Sequence, residues 1–277
     1  MELRLHETKL PIKGLCRKYV FYHISDLHIA VCSPERDSDA IAQAETATKR
    51  WMRDGIPPVD ILNSIIDFVN ANDCDGLLVA GDCIDYFSED IAEYIKDTLA
   101  KCRREVFYIP GNHERLRIEQ NENDSVFAPR FAPLMRGNQL NWVKDYGDFL
   151  LVGIDNSTKE ISESQVAFFK EQIKRNMPIV LLVHIPFYTD DIDAPIRKNC
   201  GDSEKKIRYF SMGTVGTPDS GMEFAELIKS EQSNVVAVIA GHVHFAYEGS
   251  LENGAAQITS APAFKRFVRK LEICPAE

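Results

Sequence analysis

Five short polar patterns follow five apolar runs, and they hold five of the seven histidines in the chain. The patterns are Asp26-Leu27-His28, Gly81-Asp82-Cys83-Ile84-Asp85, Gly111-Asn112-His113-Glu114, His184, and Gly241-His242-Val243-His244. Carboxylate oxygen, imidazole nitrogen and amide oxygen form a mixed donor set. It suits borderline transition ions such as Zn, Mn, Fe, Ni or Co better than Ca or Mg. Side chains two residues apart share one side of an extended segment, so Asp26 and His28 are expected to clasp one ion, as are His242 and His244. No thiolate pair exists for a structural zinc finger. Taken singly, each pattern is weak, and a strand histidine such as His184 reads first as a hydrogen-bonded core residue. Taken together the balance reverses. Buried carboxylates and imidazoles gathered at five strand ends would be costly without an ion between them.

The runs that position these patterns are Tyr19–Ile24, Gly76–Ala80, Val106–Pro110, Ile179–Val183 and Val235–Ala240. Each reads as a buried strand with its pattern where the strand emerges, which is where open α/β sheets place their ligands. Helical patterns alternate with them. Asp37 or Ser38 can cap a helix running to about Arg53, and a second follows Pro57-Pro58. Ser88 can cap a third, and Ser162 with Gln165 matches a capping box. Met222–Ser230 is a further helix candidate, and Arg266–Ile273 a last strand. Asp145-Tyr146-Gly147-Asp148 and Asn253-Gly254 are hairpin signals, the latter a two-residue turn. Strands and helices alternate early and strands dominate late, which fits two mixed sheets face to face with helices outside.

With 277 residues the chain is expected to form one domain over 1–277. Its formal net charge of −10 argues against a long nucleic-acid partner, which needs a basic footprint. Seven scattered cysteines without a CxxC suggest free thiols in a reducing, cytoplasmic setting. No run approaches a membrane span, and the N-terminus lacks a signal-peptide apolar region. Residues 31–56 are expected to form a small helical cap over the first pattern, or else a plain surface helix. Two stretches resist assignment, 115–137 and 187–220, and are placed at the rim of the site, 187–220 as a lid loop.

The ordered set Asp-x-His, Gly-Asp-x-x-Asp, Gly-Asn-His-Glu, His, Gly-His-x-His resembles the signature of calcineurin-like metallophosphoesterases over residues 26–244. The resemblance implies a four-layer α/β/β/α sandwich of two mixed β-sheets flanked by helices. It implies two divalent transition-metal ions, with Asp26, His28 and His244 on one, Asn112, His184 and His242 on the other, and Asp82 bridging. It further implies hydrolysis of a small phosphomonoester or phosphodiester by a hydroxide shared between the ions. His113 would be the general acid and Asp85 the carboxylate that orients it. The plainer alternative for Asp85 is an acidic cap on the helix near Ser88.

Tyr86-Phe87 stands where the protein phosphatases of this group carry Arg-Gly, which points away from that branch. Glu114 stands where many relatives have Asp, and His184-Ile185-Pro186 where many have His-His-Pro. Weaker substrate-contact candidates are Asn112, Arg115 and Tyr188, while His6 and His23 read as structural. Two other classes compete: a non-catalytic metal-binding interaction scaffold on the same fold, and a mononuclear oxidative iron site of two His and one carboxylate. Elemental analysis after Mn loading separates the iron site from the two-ion phosphoesterase: two ions per chain are expected, and one ion would favour the iron-type site.

Overall fold

The computed structural model describes residues 1–116, 129 and 140–276. In chain order it places β1 (Arg4–Ile12), β2 (Tyr19–Ile24), α1 (Ser38–Trp51), α2 (Pro58–Ala71), β3 (Gly76–Ala80), α3 (Glu89–Ala100) and β4 (Val106–Ile109) in the first half. The second half holds β5 (Asn141–Asp145), β6 (Leu150–Ile154), α4 (Glu163–Ile173), β7 (Ile179–Leu182), α5 (Asp190–Cys200), α6 (Glu204–Phe210), α7 (Asp219–Lys229), β8 (Val235–Ala240), β9 (Tyr247–Ser250), β10 (Ala256–Thr259) and β11 (Phe267–Pro275). One sheet has the order β1-β11-β2-β3-β4 and the other β5-β6-β7-β8-β10-β9. Both are mixed. β2, β3 and β4 run parallel while β11 opposes β2; β6, β7, β8 and β10 run parallel while β5 and β9 oppose their neighbours.

Alternation along the first sheet divides the core. Phe21, Leu78, Ala80, Phe107 and Ile109 face the second sheet, with Leu150, Val152, Leu181 and Val238 in the same cluster. Their neighbours Tyr22, Leu77, Val79, Val106 and Tyr108 face the other way, onto Ile61, Ile65 and Val69 of α2 and Ile91, Ile95 and Leu99 of α3. On the far side of the second sheet, Phe169 of α4 and Phe224 and Ile228 of α7 close the sandwich. The layers are therefore helix, sheet, sheet, helix. Among the described residues no helix is long and apolar enough to cross a membrane.

The helix boundaries follow the capping chemistry. Asp37 accepts from the backbone of Asp39 and Ala40 at the start of α1, Ser88 caps α3, and Ser162 with Gln165 closes a capping box on α4. Two expectations need correction, and one strand falls outside the patterning. The Asn253-Gly254 signal lies in a five-residue connection, Leu251–Ala255, closed by Leu251 N–H to Ala255 O at 2.8 Å, rather than in a two-residue turn. Only Gly254 of that pair takes positive φ, at 81°, whereas a type I′ turn needs it at both. Residues 187–220 are not a loop, because α5 and α6 occupy much of them. That strand, β1, pairs in parallel with β11 along its whole length, an edge strand the apolar patterning did not single out. The expectations over 115–137 fall almost wholly outside the described residues.

Trp142 of β5 crosses between the sheets, its indole N–H donating to Tyr108 O at 2.8 Å. Its ring fills the space over Gly153, where an added Cβ would sit 2.2 Å from the indole. Gly153→Ala is expected to lower stability by about 1–3 kcal/mol through overpacking. Denaturant unfolding in a Trp142→Ala background should show most of that cost gone; an equal cost in both backgrounds would refute the contact.

Candidate metal centre

The strand ends turn sharply, and the ligand candidates themselves make the turns. Asp26, His28, Asp82, His242 and His244 have φ of 58°, 53°, 52°, 70° and 58°. Asp and His are among the side chains that tolerate this left-handed region best. The expectation that Asp26 and His28 share a side of an extended segment is therefore corrected: each sits in a left-handed kink, and so do His242 and His244. Their convergence comes from loops bending inward, not from strand pleat. Gly81 continues the same turn at φ 78°. Gly111 has a different reason to lack a side chain, since a Cβ there would lie 2.2 Å from Asp82 Oδ1 and 2.8 Å from His184 Cε1.

One buried carboxylate ties two of these loops together. Glu114 Oε2 accepts from the N–H of Asp82 at 2.9 Å and of Gly111 at 2.7 Å. Its Oε1 accepts from Cys83 N–H at 2.8 Å and the Tyr108 hydroxyl at 2.7 Å. The β3 and β4 loops are thus held in register by a side chain that faces no ligand position. Asp82 Oδ1 adds a bond from His113 N–H at 2.8 Å. Two further devices orient the rest. Asn156, fully buried, accepts from the N–H of His184 and Ile185 at 3.0 Å each. Asp26 accepts from His242 N–H at 3.1 Å.

The side chains form two groups that share Asp82: Asp26, His28, Asp82 and His244, and Asp82, His184 and His242. His28 Nε2 faces His244 Nε2 at 3.1 Å, and Asp26 Oδ1 lies 3.3 Å from the latter. Asn112 Oδ1 lies 3.2 Å from His184 Nε2, which completes the second group. His184 Nδ1 donates to Ala80 O at 2.6 Å, so its Nε2 is the atom turned toward Asp82, 3.4 Å away. Burial opposes charge on His184, but Asp82 outweighs it and lifts the pKa to about 10. Burial alone would raise Asp82, yet His184 holds it well below the carboxylate range. Burial depresses His28 and His242, leaving both as neutral donors of a lone pair. The nitrogens of His28 and His244 face each other beside buried carboxylates, and the whole donor set fits borderline divalent ions.

Beside this centre, His113 Nδ1 lies 2.8 Å from Asp85 O and 3.3 Å from Asp85 Oδ1. Burial works against its charge, but Asp85 and Asp82 prevail and raise the pKa to about 9. Asp85 thus faces His113 and does not cap α3, which Ser88 does. Trp51, the last residue of α1, donates its indole N–H to Asp85 Oδ1 at 2.8 Å and stacks on His28 at 3.9 Å between centroids. The 31–56 segment therefore reaches the site through Trp51. Nothing in the spacing of α1 singles that residue out.

The weaker candidates are dispersed. Asn112 is in the centre, its amide 3.5 Å from the Tyr209 hydroxyl. Arg115 is anchored by Asp155 Oδ2 at 2.6 Å and Ser157 Oγ at 2.8 Å. Tyr188 packs with Ile192, Ile196 and Tyr247 in a separate apolar cluster, and Phe187 is fully buried. His23 is buried against Ser260 Oγ at 2.7 Å, away from either group, and burial lowers its pKa to about 3. The end of α6 lies over the second group instead. Tyr209 O sits 3.1 Å from His242 Nε2, and the Tyr209 ring is 5.2 Å from that imidazole. Lys159 fastens this end by donating to the carbonyls of Tyr209 and Ser211 at 2.9 and 2.8 Å. Tyr209 and Lys159 lie far from the polar patterns in sequence, and only the unassigned length of 187–220 hinted at the former.

The family model described as calcineurin-like phosphoesterase matches residues 19–246. No curated protein matches the chain in sequence. Among solved structures, a dimetal phosphatase from Danio rerio is similar at 13% identity and a TM-score of 0.51, over 89% of this chain and 88% of that one. A purple acid phosphatase from yellow lupin (Lupinus luteus) seeds is similar at 15% identity and a TM-score of 0.53. That match covers 90% of this chain, which spans 45% of the lupin protein's length. At these identities the likeness is one of fold.

The Glu114 clasp makes a firm demand. Glu114→Ala would leave three buried N–H groups and one hydroxyl without their acceptor, and each such loss costs about 1–3 kcal/mol. A stability loss of several kcal/mol by chemical denaturation is expected, together with weaker metal retention on dialysis. A loss under about 1 kcal/mol would mean the loops keep their register by other means.

Proposed function

The chain belongs to the calcineurin-like phosphoesterase family, whose members are hydrolases acting on phosphoester bonds, and from that premise we propose that it cleaves a small phosphomonoester or phosphodiester at a two-ion centre. The observation that carries this reading is the joint presence of two ligand groups meeting at Asp82 and an intact His113–Asp85 pair beside them. Asp26, His28 and His244 would hold one ion, Asn112, His184 and His242 the other, and Asp82 would serve both. When bound, such ions supply Lewis-acid charge to the phosphoryl oxygens and acidify a water nucleophile.

The chain's own groups do the rest. His113 Nδ1 is engaged by Asp85, which leaves Nε2 to hand a proton to the departing alkoxide. Asp85 keeps the ring in that orientation and favours its charged form, and Trp51 keeps Asp85 in place. The bond from His113 N–H to Asp82 couples the position of the acid to that of the shared ligand. Tyr209, held by Lys159, covers the second group and limits access by bulk water and by large substrates. The net charge of −10 suits a small ester rather than a nucleic acid. Seven cysteines scattered without a CxxC suit a reducing, cytoplasmic setting.

The test uses Mn-loaded protein with p-nitrophenyl phosphate and bis(p-nitrophenyl) phosphate. Metal-dependent release of p-nitrophenol from at least one is expected; none from either, with metal loading verified, sinks the reading in favour of a scaffold. His113→Ala should lower kcat by about a hundred- to ten-thousand-fold while retaining about two ions per chain. Loss of metal in that variant would instead make His113 part of the ion site.

A further inference from the structure

A cavity of about 350 Å³ opens beside His113 and Asp85, walled by Gln43, Thr46 and Arg50 of α1 and by Tyr86. None of the seven proposed ion ligands lines it. In an in-line displacement the departing group leaves opposite the nucleophile, and it must meet the proton donor as it goes. It therefore needs space that touches His113 but not the ion ligands, and this cavity meets both conditions.

The chemistry of the walls is set by α1. Gln43, Thr46, Ala47 and Arg50 fall at helical spacing on one face, and the buried residues of the helix are only Ala44 and Ala47. Small residues against the body of the protein leave room beside His113, and the polar ones line it. Arg50 is the one Lys or Arg among the described lining residues. Its side chain is 63% exposed and its guanidinium lies 3.9 Å from Asp85 Oδ2, beyond hydrogen-bond reach. Asp85 is occupied on its other oxygen by Trp51. A second cavity of about 360 Å³ shares Gln43 and Tyr86 with the first and continues outward to Cys32 and Phe87. Its cation, Arg36, is already committed to Asp90 at 2.6 Å.

Resting on the phosphoesterase reading above, we propose that the inner cavity is the leaving-group subsite and that it takes a small alcohol bearing an anionic group, carboxylate or phosphate, recognised by Arg50. A cavity of about 350 Å³ stands near the lower end of small-ligand sites, so the alcohol is a compact one. A guanidinium pairs with either anion in a two-pronged geometry that an ammonium does not reproduce.

The experiment compares three esters on the Mn-loaded protein: p-nitrophenyl phosphate, 4-carboxyphenyl phosphate and 1,4-phenylene bisphosphate. Arg50→Gln is expected to lower kcat/KM for at least one of the charged-leaving-group esters about tenfold more than for the neutral one, mainly through KM. Arg50→Lys should recover part of that difference. The charged ester that loses more identifies the anion. Independently of turnover, calorimetric binding of 4-hydroxybenzoate or of the non-hydrolysable 4-hydroxyphenylphosphonate should weaken about tenfold in Arg50→Gln. Equal losses across all three esters would overturn the subsite, because Arg50 would then act through Asp85 on every substrate. If the wild-type protein hydrolyses all three and Arg50→Gln changes none, only the subsite falls. If the wild-type protein hydrolyses none, the phosphoesterase reading falls and the leaving-group assignment with it.

Discussion

A single buried carboxylate sets the geometry from which the centre follows. Glu114 gathers donors from the β3 loop, the β4 loop and the Tyr108 hydroxyl. Asp82, Asn112 and His113 all hang from the two loops it joins. A shift of the Gly111 backbone away from Asp82 would part Asp82 from His113, whose backbone N–H it accepts. Sites of this kind depend on positions held within about half an ångström, which rigid support from behind the ligands provides. Glu114 supplies that support on one side, and Asn156 supplies it for His184 on the other.

The four-layer arrangement matters to the site because it presents parallel strand ends from two sheets at one edge. β2, β3 and β4 bring Asp26, His28, Asp82 and Asn112; β7 and β8 bring His184, His242 and His244. Neither sheet alone holds either candidate ligand group. Asp82 from the first sheet is near His184 from the second, and His244 from the second is near His28 from the first. Packing of the inter-sheet core around Leu78, Phe107 and Val238 is thus also what sets the spacing between donors. A core substitution that moves one sheet by an ångström would be felt at the centre before it was felt in overall stability.

Much of this was legible in the residues. Apolar runs ending in Asp, His and Asn located the five strands, and capping residues located the helix starts, because both signals act over a few neighbouring positions. Less was legible where structure depends on distant contacts. Trp51 reads as an ordinary helix terminus, and its link to Asp85 and His28 exists only after α1 folds across the first loop. Tyr209 and Lys159 are separated by 50 residues and meet through backbone carbonyls, a contact with no residue-type signature. The β1–β11 pairing joins the two ends of the chain, and β1 reads as a half-exposed run with no apolar stripe. The residues of the Asp-x-His and His-x-His patterns converge by a geometry other than the expected pleat, since a left-handed kink and an extended segment can share the same spacing.

Those kinks have a consequence for how the chain tolerates mutational drift. At His28 the backbone sits in a left-handed conformation that costs most residues about 1–2 kcal/mol and glycine almost nothing. The same imidazole also buries an Nδ1 that has no hydrogen-bond partner. Asp26, Asp82, His242 and His244 sit in the same region, and Asp and His bear it at less cost than bulkier or β-branched side chains. Replacement at these positions is therefore filtered twice, by the donor atom the side chain offers and by the backbone it must accept, so a β-branched residue would be tolerated least there.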